Sequence, residues 1–344
     1  MTRAGGSGTA ADRNIVDVQR FQVLALDGGG AKALFTAHVL ARLEADLGIR
    51  ITDAFDLITG TSAGGILALA LGTGMRPAEI VDHYEALSAR VFPHRKSHKL
   101  RYVLSPFKAA YSGQVLRSAL EQVLGQRLLG ESGKRLVIPS WDVQVGEVHI
   151  FKTPHHERLR RDWKISMVDV AMATTAAPTY FPAASVDGQR LVDGGVWANN
   201  PSVVGIGEAV SMLGVPLAAI RVLNLGTIDQ RATHPKRCDT GGWGNWATTA
   251  TPLMITASTR GTQGTAAHLV GEHNYARFDV TVPGAIFSLD QADPKELAGL
   301  AASQSRQLSP VYTKTFAGHI AHPYTPIHGP GSDLATSTSP GGTP

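Results

Sequence analysis

Three glycine-rich runs in this 344-residue chain each follow an apolar segment and carry a group that could do chemistry. The first is Gly60-Thr61-Ser62-Ala63-Gly64, set between Phe55–Thr59 and the apolar stretch ending at Leu71. A Gly-x-Ser-x-Gly turn from strand to helix forces its serine into a tight, strained bend, and small flanking residues let neighbouring elements approach. The hydroxyl then sits at a helix N-terminus, where the dipole favours developing negative charge. Ser62 reads as a nucleophile, with Gly60 and Gly64 as its elbow. A serine that merely caps a glycine-rich helix start is the plainer alternative.

The second run is Asp27-Gly28-Gly29-Gly30-Ala31, after Phe21–Leu26. Glycines leave backbone N–H groups unobstructed and able to converge on an anion. One use is an oxyanion hole formed by Gly28, Gly29, Gly30 and Ala31, each donor worth about 2.7–4 kcal/mol of barrier. The rival use is dinucleotide binding. Gly28-x-Gly30-x-x-Ala33 satisfies the loose fingerprint, and Asp46 and Asp53 fall near the place of a ribose carboxylate. That use leaves Ser62 unexplained. The third run is Val192-Asp193-Gly194-Gly195. A strand-end carboxylate with glycines behind it can accept the proton of a neighbouring hydroxyl as general base; alternatively, Asp193 bonds its own turn.

Nucleophile elbow, donor loop and strand-end base are the three parts of a serine hydrolase. In these motifs, their order and their spacing, over roughly residues 20 to 226, the chain resembles the patatin-like phospholipase family. The resemblance implies a three-layer α/β/α fold with a mainly parallel central sheet. It implies a Ser62–Asp193 dyad without histidine, and a lipid acyl hydrolase of phospholipase A type acting on membrane phospholipid. It implies no cofactor. One departure concerns Lys32-Ala33, where the family usually has Arg-Gly: the charge is kept, the planar bidentate geometry is not. A narrower resemblance joins Phe151–His156 and Ala171–Pro182 to bacterial patatin-like effectors of anti-phage signalling. It implies a cyclic dinucleotide activator and a part in antiviral defence, with His155 and His156 as groups that could touch the ligand.

Other readings stay open. A Ser-Asp-His triad would draw on His234, His268, His273, His319, His322 or His328, all beyond Asp193. A nucleotide-binding oxidoreductase would use the first glycine loop, and a non-catalytic scaffold would keep only the fold.

Around these motifs the pattern predicts strands at 21–26, 55–59, 136–139, 148–152 and 220–225. Helices are predicted over about 31–47, 62–71, 77–89, 168–175 and 294–307, and from Asn200-Pro201 to about Leu213. Asp187-Gly188 marks a hairpin. Strand–turn–helix repetition with apolar strands implies a sheet covered on both faces. A hydrolase domain over 20–328 is expected, with disordered ends at 1–19 and 329–344.

The remaining features bound the setting. A single cysteine, Cys238, excludes an internal disulfide and suits a reducing compartment. Met1–Gln19 lacks a secretory signal, and the longest apolar run, Ile66–Leu71, is far short of the ~20 residues that cross a bilayer. A cytoplasmic protein is expected, working peripherally at the inner membrane surface. Net charge is +4 with Lys and Arg dispersed, compatible with anionic lipid or nucleotide but not indicative of a nucleic acid polymer. No spacing of His, Cys and carboxylates points to a metal. Basic and apolar residues interleave from Arg90 to Lys108, as in a lid or docking region. Arg158, Arg160, Arg161 and Lys164 form a second cluster able to hold phosphates. A homo-oligomer is left open.

Overall fold

The structure, a computed structural model, describes residues 19–93, 108–230, 239–242, 246, 250–282, 290 and 292–329. Cys238, His234, most of the basic stretch after Arg90, and the two chain ends lie outside these residues.

The chain opens on β1 (Phe21–Leu26), buried along its whole length, and passes through a short 3-10 turn into α1 (Ala33–Leu47), which stops at Gly48 in the left-handed conformation. β2 (Leu57–Gly60) leads directly to α2 (Ala63–Gly72), every residue of which is buried. Next come α3 (Pro77–Val91) and α4 (Gly113–Leu124). β3 (Arg135–Asp142) and β4 (Glu147–Lys152) form a hairpin, and α5 (Met167–Thr174) follows. A second hairpin pairs β5 (Ala184–Val186) with β6 (Gln189–Asp193) across Asp187-Gly188, as the turn signal predicts. The one-turn α6 (Gly195–Ala198) and α7 (Ser202–Ser211) lead to β7 (Ile220–Gln230), α8 (Ala250–Val270), β8 (Tyr275–Val282) and α9 (Pro294–Thr315).

The strands make one sheet in the order β5-β6-β3-β2-β1-β7-β8, with β4 on the free side of β3. The run β3-β2-β1-β7-β8 is parallel throughout. The β4, β6 and β5 pairings are antiparallel, because hairpins rather than crossover helices join those strands. β3 is long enough to pair with β2 through Arg135–Val137 and with β6 through Ser140–Asp142, so β6 continues the edge that β2 vacates. Each face of the sheet carries its own apolar cluster. One contains Leu24, Leu26 and Ile58 with α1, α2, α3 and α9; the other contains Val23, Leu57 and Val137 with Ile206 and Ala266 of α7 and α8. The parallel strands all end on one side, the usual place for a ligand in such sheets.

Candidate active site

β1, β2 and β6 deliver the three motifs to that end. Ser62 follows β2 with φ 54 and ψ −125, an uncommon conformation for a residue with a Cβ. Strain of this kind persists only where surroundings hold it. The Ser62 amide donates to Thr174 Oγ1 at 3.0 Å, and that hydroxyl donates to Pro139 O at 2.6 Å. Thr61 Oγ1 donates to Ala198 O at 2.6 Å. Gly64 is required by closeness: a Cβ there would run into the carbonyls of Leu26 and Asp27.

The Ser62 hydroxyl donates to Asp193 Oδ2 at 2.6 Å. Asp193 Oδ1 accepts the Gly195 amide at 2.6 Å, and the Asp193 amide is held by Ala176 O at 3.1 Å. Burial pushes the Asp193 carboxyl up to about 6, moderated by the hydrogen bonds from Ser62 and Gly195. A buried carboxylate in direct contact with a hydroxyl at a helix N-terminus can accept its proton without an imidazole between them.

The glycine loop lies against this pair. A Cβ on Gly28 would stand 3.2 Å from Ser62 Cβ and 2.5 Å from Asn199 Oδ1. The Gly28 amide is spoken for, since it donates to Asn199 O at 3.0 Å. Of the four expected oxyanion donors, then, Gly29, Gly30 and Ala31 keep amides without a partner among the described residues, and Gly28 serves as the close-approach point. The loop is braced from outside: Tyr84 OH donates to Gly30 O at 2.9 Å, and Thr227 packs against Gly29. Lys32 points away from Ser62 to Ile228 O at 2.9 Å, and Ala33 has ordinary helical angles, so the Lys-Ala departure leaves the loop's path intact.

Below the loop lies a buried network that the sequence reading did not find. Asp27 accepts from Arg277 at 2.6 Å and from Asn224 at 2.7 Å, and Arg277 also bonds Asn224 and Asp279. Burial pushes the Asp27 carboxyl up to about 6, against the Arg277 guanidinium. Arg277 sits on β8, a strand the apolar pattern did not mark. Thr174 was likewise missed as a site residue, although it lies in the Ala171–Pro182 motif.

Several expectations are corrected. Asp46 and Asp53 are exposed on α1 and on the turn before β2, at the end of the sheet away from the glycine loop. The place for a ribose carboxylate after β2 is filled by the serine elbow, so the dinucleotide reading fails. Among the described residues no histidine bonds Ser62 or Asp193. His268 contacts Gly264 O and His328 contacts Glu157 O, while His319 and His322 bond Asp56. His155 is unavailable to a ligand: its side chain is wholly buried between Thr153 Oγ1 and Glu208, both at 2.9 Å. Arg158, Arg160, Arg161 and Lys164 follow β4, whose end pairs with the beginning of β3, and so lie at the end of the sheet opposite Ser62.

One group among the described residues, Asp56 with His319 and His322, brings three metal-type ligand atoms within 4.8 Å. Both ring nitrogens touch the carboxylate directly at 2.7 Å, and its oxygens also accept the amides of Gln22 and His322. Direct hydrogen bonds of this length make the group a clamp that holds the segment after α9 to the foot of β2.

Comparison with known proteins places the chain in a family. Residues 24–203 match the family model described as patatin-like phospholipase. A protein of Vibrio cholerae serotype O1 named cGAMP-activated phospholipase is 33% identical over 322 residues, which cover 84% of this chain and 90% of the relative. A protein of the same name from Pseudomonas aeruginosa is 36% identical over 242 residues, covering 70% and 72%. Patatin-like protein 2 of Arabidopsis thaliana is 30% identical over 329 residues, covering 81% and 80%. Among the described residues no helix is long and apolar enough to cross a membrane.

Proposed function

From the premise that this chain belongs to the patatin-like phospholipase family, we propose that it hydrolyses acyl ester bonds of membrane phospholipids through Ser62 and Asp193. The observation that carries the reading is the 2.6 Å contact from Ser62 Oγ to the buried Asp193 carboxylate, beside the amides of Gly29, Gly30 and Ala31, which have no partner among the described residues. Ser62 Oγ attacks the ester carbonyl carbon while Asp193 takes the hydroxyl proton. The loop amides receive the charge that moves onto the carbonyl oxygen. The tetrahedral intermediate collapses, the glycerol oxygen leaves with the proton from Asp193, and the fatty acyl group stays on Ser62. Water then attacks the acyl-enzyme as Asp193 takes its proton. The fatty acid is released and Ser62 regains its hydrogen.

Regulation follows from the relatives. Two of those most similar in sequence are named for activation by cGAMP, and the same control in this chain makes it a cyclic-dinucleotide-switched lipase of antiviral defence. It would work from the cytoplasm at the inner membrane surface. The test is lipid mass spectrometry on bacterial phospholipid vesicles with and without a panel of cyclic dinucleotides, paired with fluorophosphonate labelling. Free fatty acid and lysophospholipid appearing with an activator, and labelling lost in Ser62→Ala, are expected. Wild-type protein that neither labels nor releases fatty acid under any of these conditions sinks the reading.

A further inference from the structure

The β3–β4 hairpin ends in a tip that is apolar where turns are ordinarily polar. Turn positions favour Gly, Pro, Asn, Asp and Ser, yet the tip reads Val143-Gln144-Val145-Gly146-Glu147-Val148. Its three valines are 40%, 64% and 52% exposed. The tip is nevertheless ordered. Asp142 Oδ1 accepts the Gln144 amide at 2.7 Å, and Gly146 closes the turn onto Asp142 O at 2.9 Å with φ 75. Val143 is tied to Arg190 O at 3.0 Å. A pre-formed turn presents these side chains to solvent at a fixed height.

That height is set by strand register. Ser140 of β3 pairs with Asp193, and Val143 lies three residues farther along. At about 3.3 Å per residue the tip stands about 10 Å beyond the Asp193 carboxylate, on the same end of the sheet. Two more exposed apolar side chains belong to this end. Val196, 46% exposed, follows Gly195. Met254, 70% exposed, lies one turn before Ser258, whose hydroxyl bonds Trp197 O at 3.1 Å. Exposed apolar groups gathered at a site mouth mark a surface that is covered during function.

We infer that this tip, on the same end of the sheet as Val196 and Met254, is a wedge that seats the Ser62 mouth on a phospholipid bilayer. The inference rests on the lipid-ester reading, which fixes the occupant: an ester held in a bilayer reaches Ser62 only if the end bearing Ser62 faces the lipid. The basic cluster after β4 lies at the other end of the sheet, so seating is by apolar insertion into the acyl boundary rather than by charge.

The test uses the full chain carrying Val143→Ser with Val145→Asp. Hydrolysis of monomeric p-nitrophenyl butyrate is expected to match wild type. Hydrolysis of phosphatidylethanolamine–phosphatidylglycerol vesicles, and protein sedimenting with them, should fall about 10²-fold, the loss of two apolar side chains' burial. Both are measured with and without cGAMP. Vesicle turnover and binding equal to wild type overturn the inference. Wild-type protein that binds vesicles through the tip but cleaves neither substrate would defeat the hydrolase reading instead. Should the double variant lose butyrate turnover, a second measurement decides. An environment-sensitive dye is placed by Val145→Cys in a Cys238→Ser background, leaving one thiol. Its emission rises and shifts to the blue on vesicles if the tip inserts, and an unchanged spectrum refutes insertion.

Discussion

Thr174 Oγ1 accepts a hydrogen bond from the backbone amide of Ser62 at 3.0 Å and donates one to Pro139 O at 2.6 Å. Two residues later in the chain, Ala176 O holds the Asp193 amide at 3.1 Å. One short segment at the end of α5 therefore grips both halves of the candidate dyad. Thr174→Val keeps the shape of the side chain and removes the acceptor, leaving a buried amide unpaired. We expect kcat on soluble ester to drop about tenfold with KM little changed, and Thr174→Ser to restore it. Equal kcat in the valine variant would show that Ser62 is held without this bond.

Removing the reacting groups should be far more severe. Ser62→Ala abolishes fluorophosphonate labelling, and Asp193→Asn lowers turnover by roughly 10³-fold or more. Because the Asp193 carboxyl sits near 6, wild-type kcat/KM should rise with pH to a plateau with a midpoint close to that value. A flat profile from pH 5 to 8 contradicts Asp193 as the base.

The same burial costs stability. A carboxyl whose folded value is raised from 3.8 to about 6 favours folding when protonated, so that stability is present at low pH and is lost as pH rises through about 6. Asp193→Asn removes this penalty. The variant is expected to be more stable at pH 8, by roughly 1–3 kcal/mol in urea unfolding, while inactive. Below pH 4 the two proteins should converge.

Gly29 has no room for a side chain: a Cβ there would meet Thr227 Cγ2 at 2.5 Å and Oγ1 at 2.6 Å. Gly29→Ala should push the loop amides off the oxyanion and cut kcat about 10²-fold. Thr227→Ala removes the two nearest obstructing atoms and leaves Cβ at 2.9 Å, so the double variant should recover part of that loss if the clash is the cause. A double variant no better than the single one would place the defect elsewhere.

Asp56 accepts from Gln22 N, His322 N and two imidazoles at the foot of β2. Asp56→Ala leaves the buried Gln22 amide and the largely buried His319 ring without their acceptor and should cost about 1–3 kcal/mol, read as a lowered denaturation midpoint.

Legibility in the sequence tracked locality. The β1–loop–α1 and β2–elbow–α2 units and the Asp187-Gly188 hairpin were readable because glycines at fixed offsets mark each turn. Asn-Pro placed the start of α7 one residue early: Pro201 rather than Asn200 takes the N-cap position, while Asn200 Oδ1 accepts the Ser202 amide at 2.9 Å. The late elements were harder. α8 is rich in Thr and Gly, with little apolar periodicity to read. β8 is half-buried along most of its length and carries Arg277, so no alternation announced it. Arg277 reaches Asp27 across 250 residues of chain. Nothing local in either segment foretells that pairing. The antiparallel flank was also hidden, since β6 meets β3 only because β3 outruns β2.

Sheet order has a bearing on how the protein is made. β7 lies between β1 and β8, and Leu225 O of β7 receives the amide of Asp27 just ahead of the glycine loop. A polypeptide still on the ribosome, with Ser62 and Asp193 already emerged, thus lacks the strand that completes one side of that loop. That side of the loop can form only once β7 (Ile220–Gln230) has been made, well behind Ser62 and Asp193.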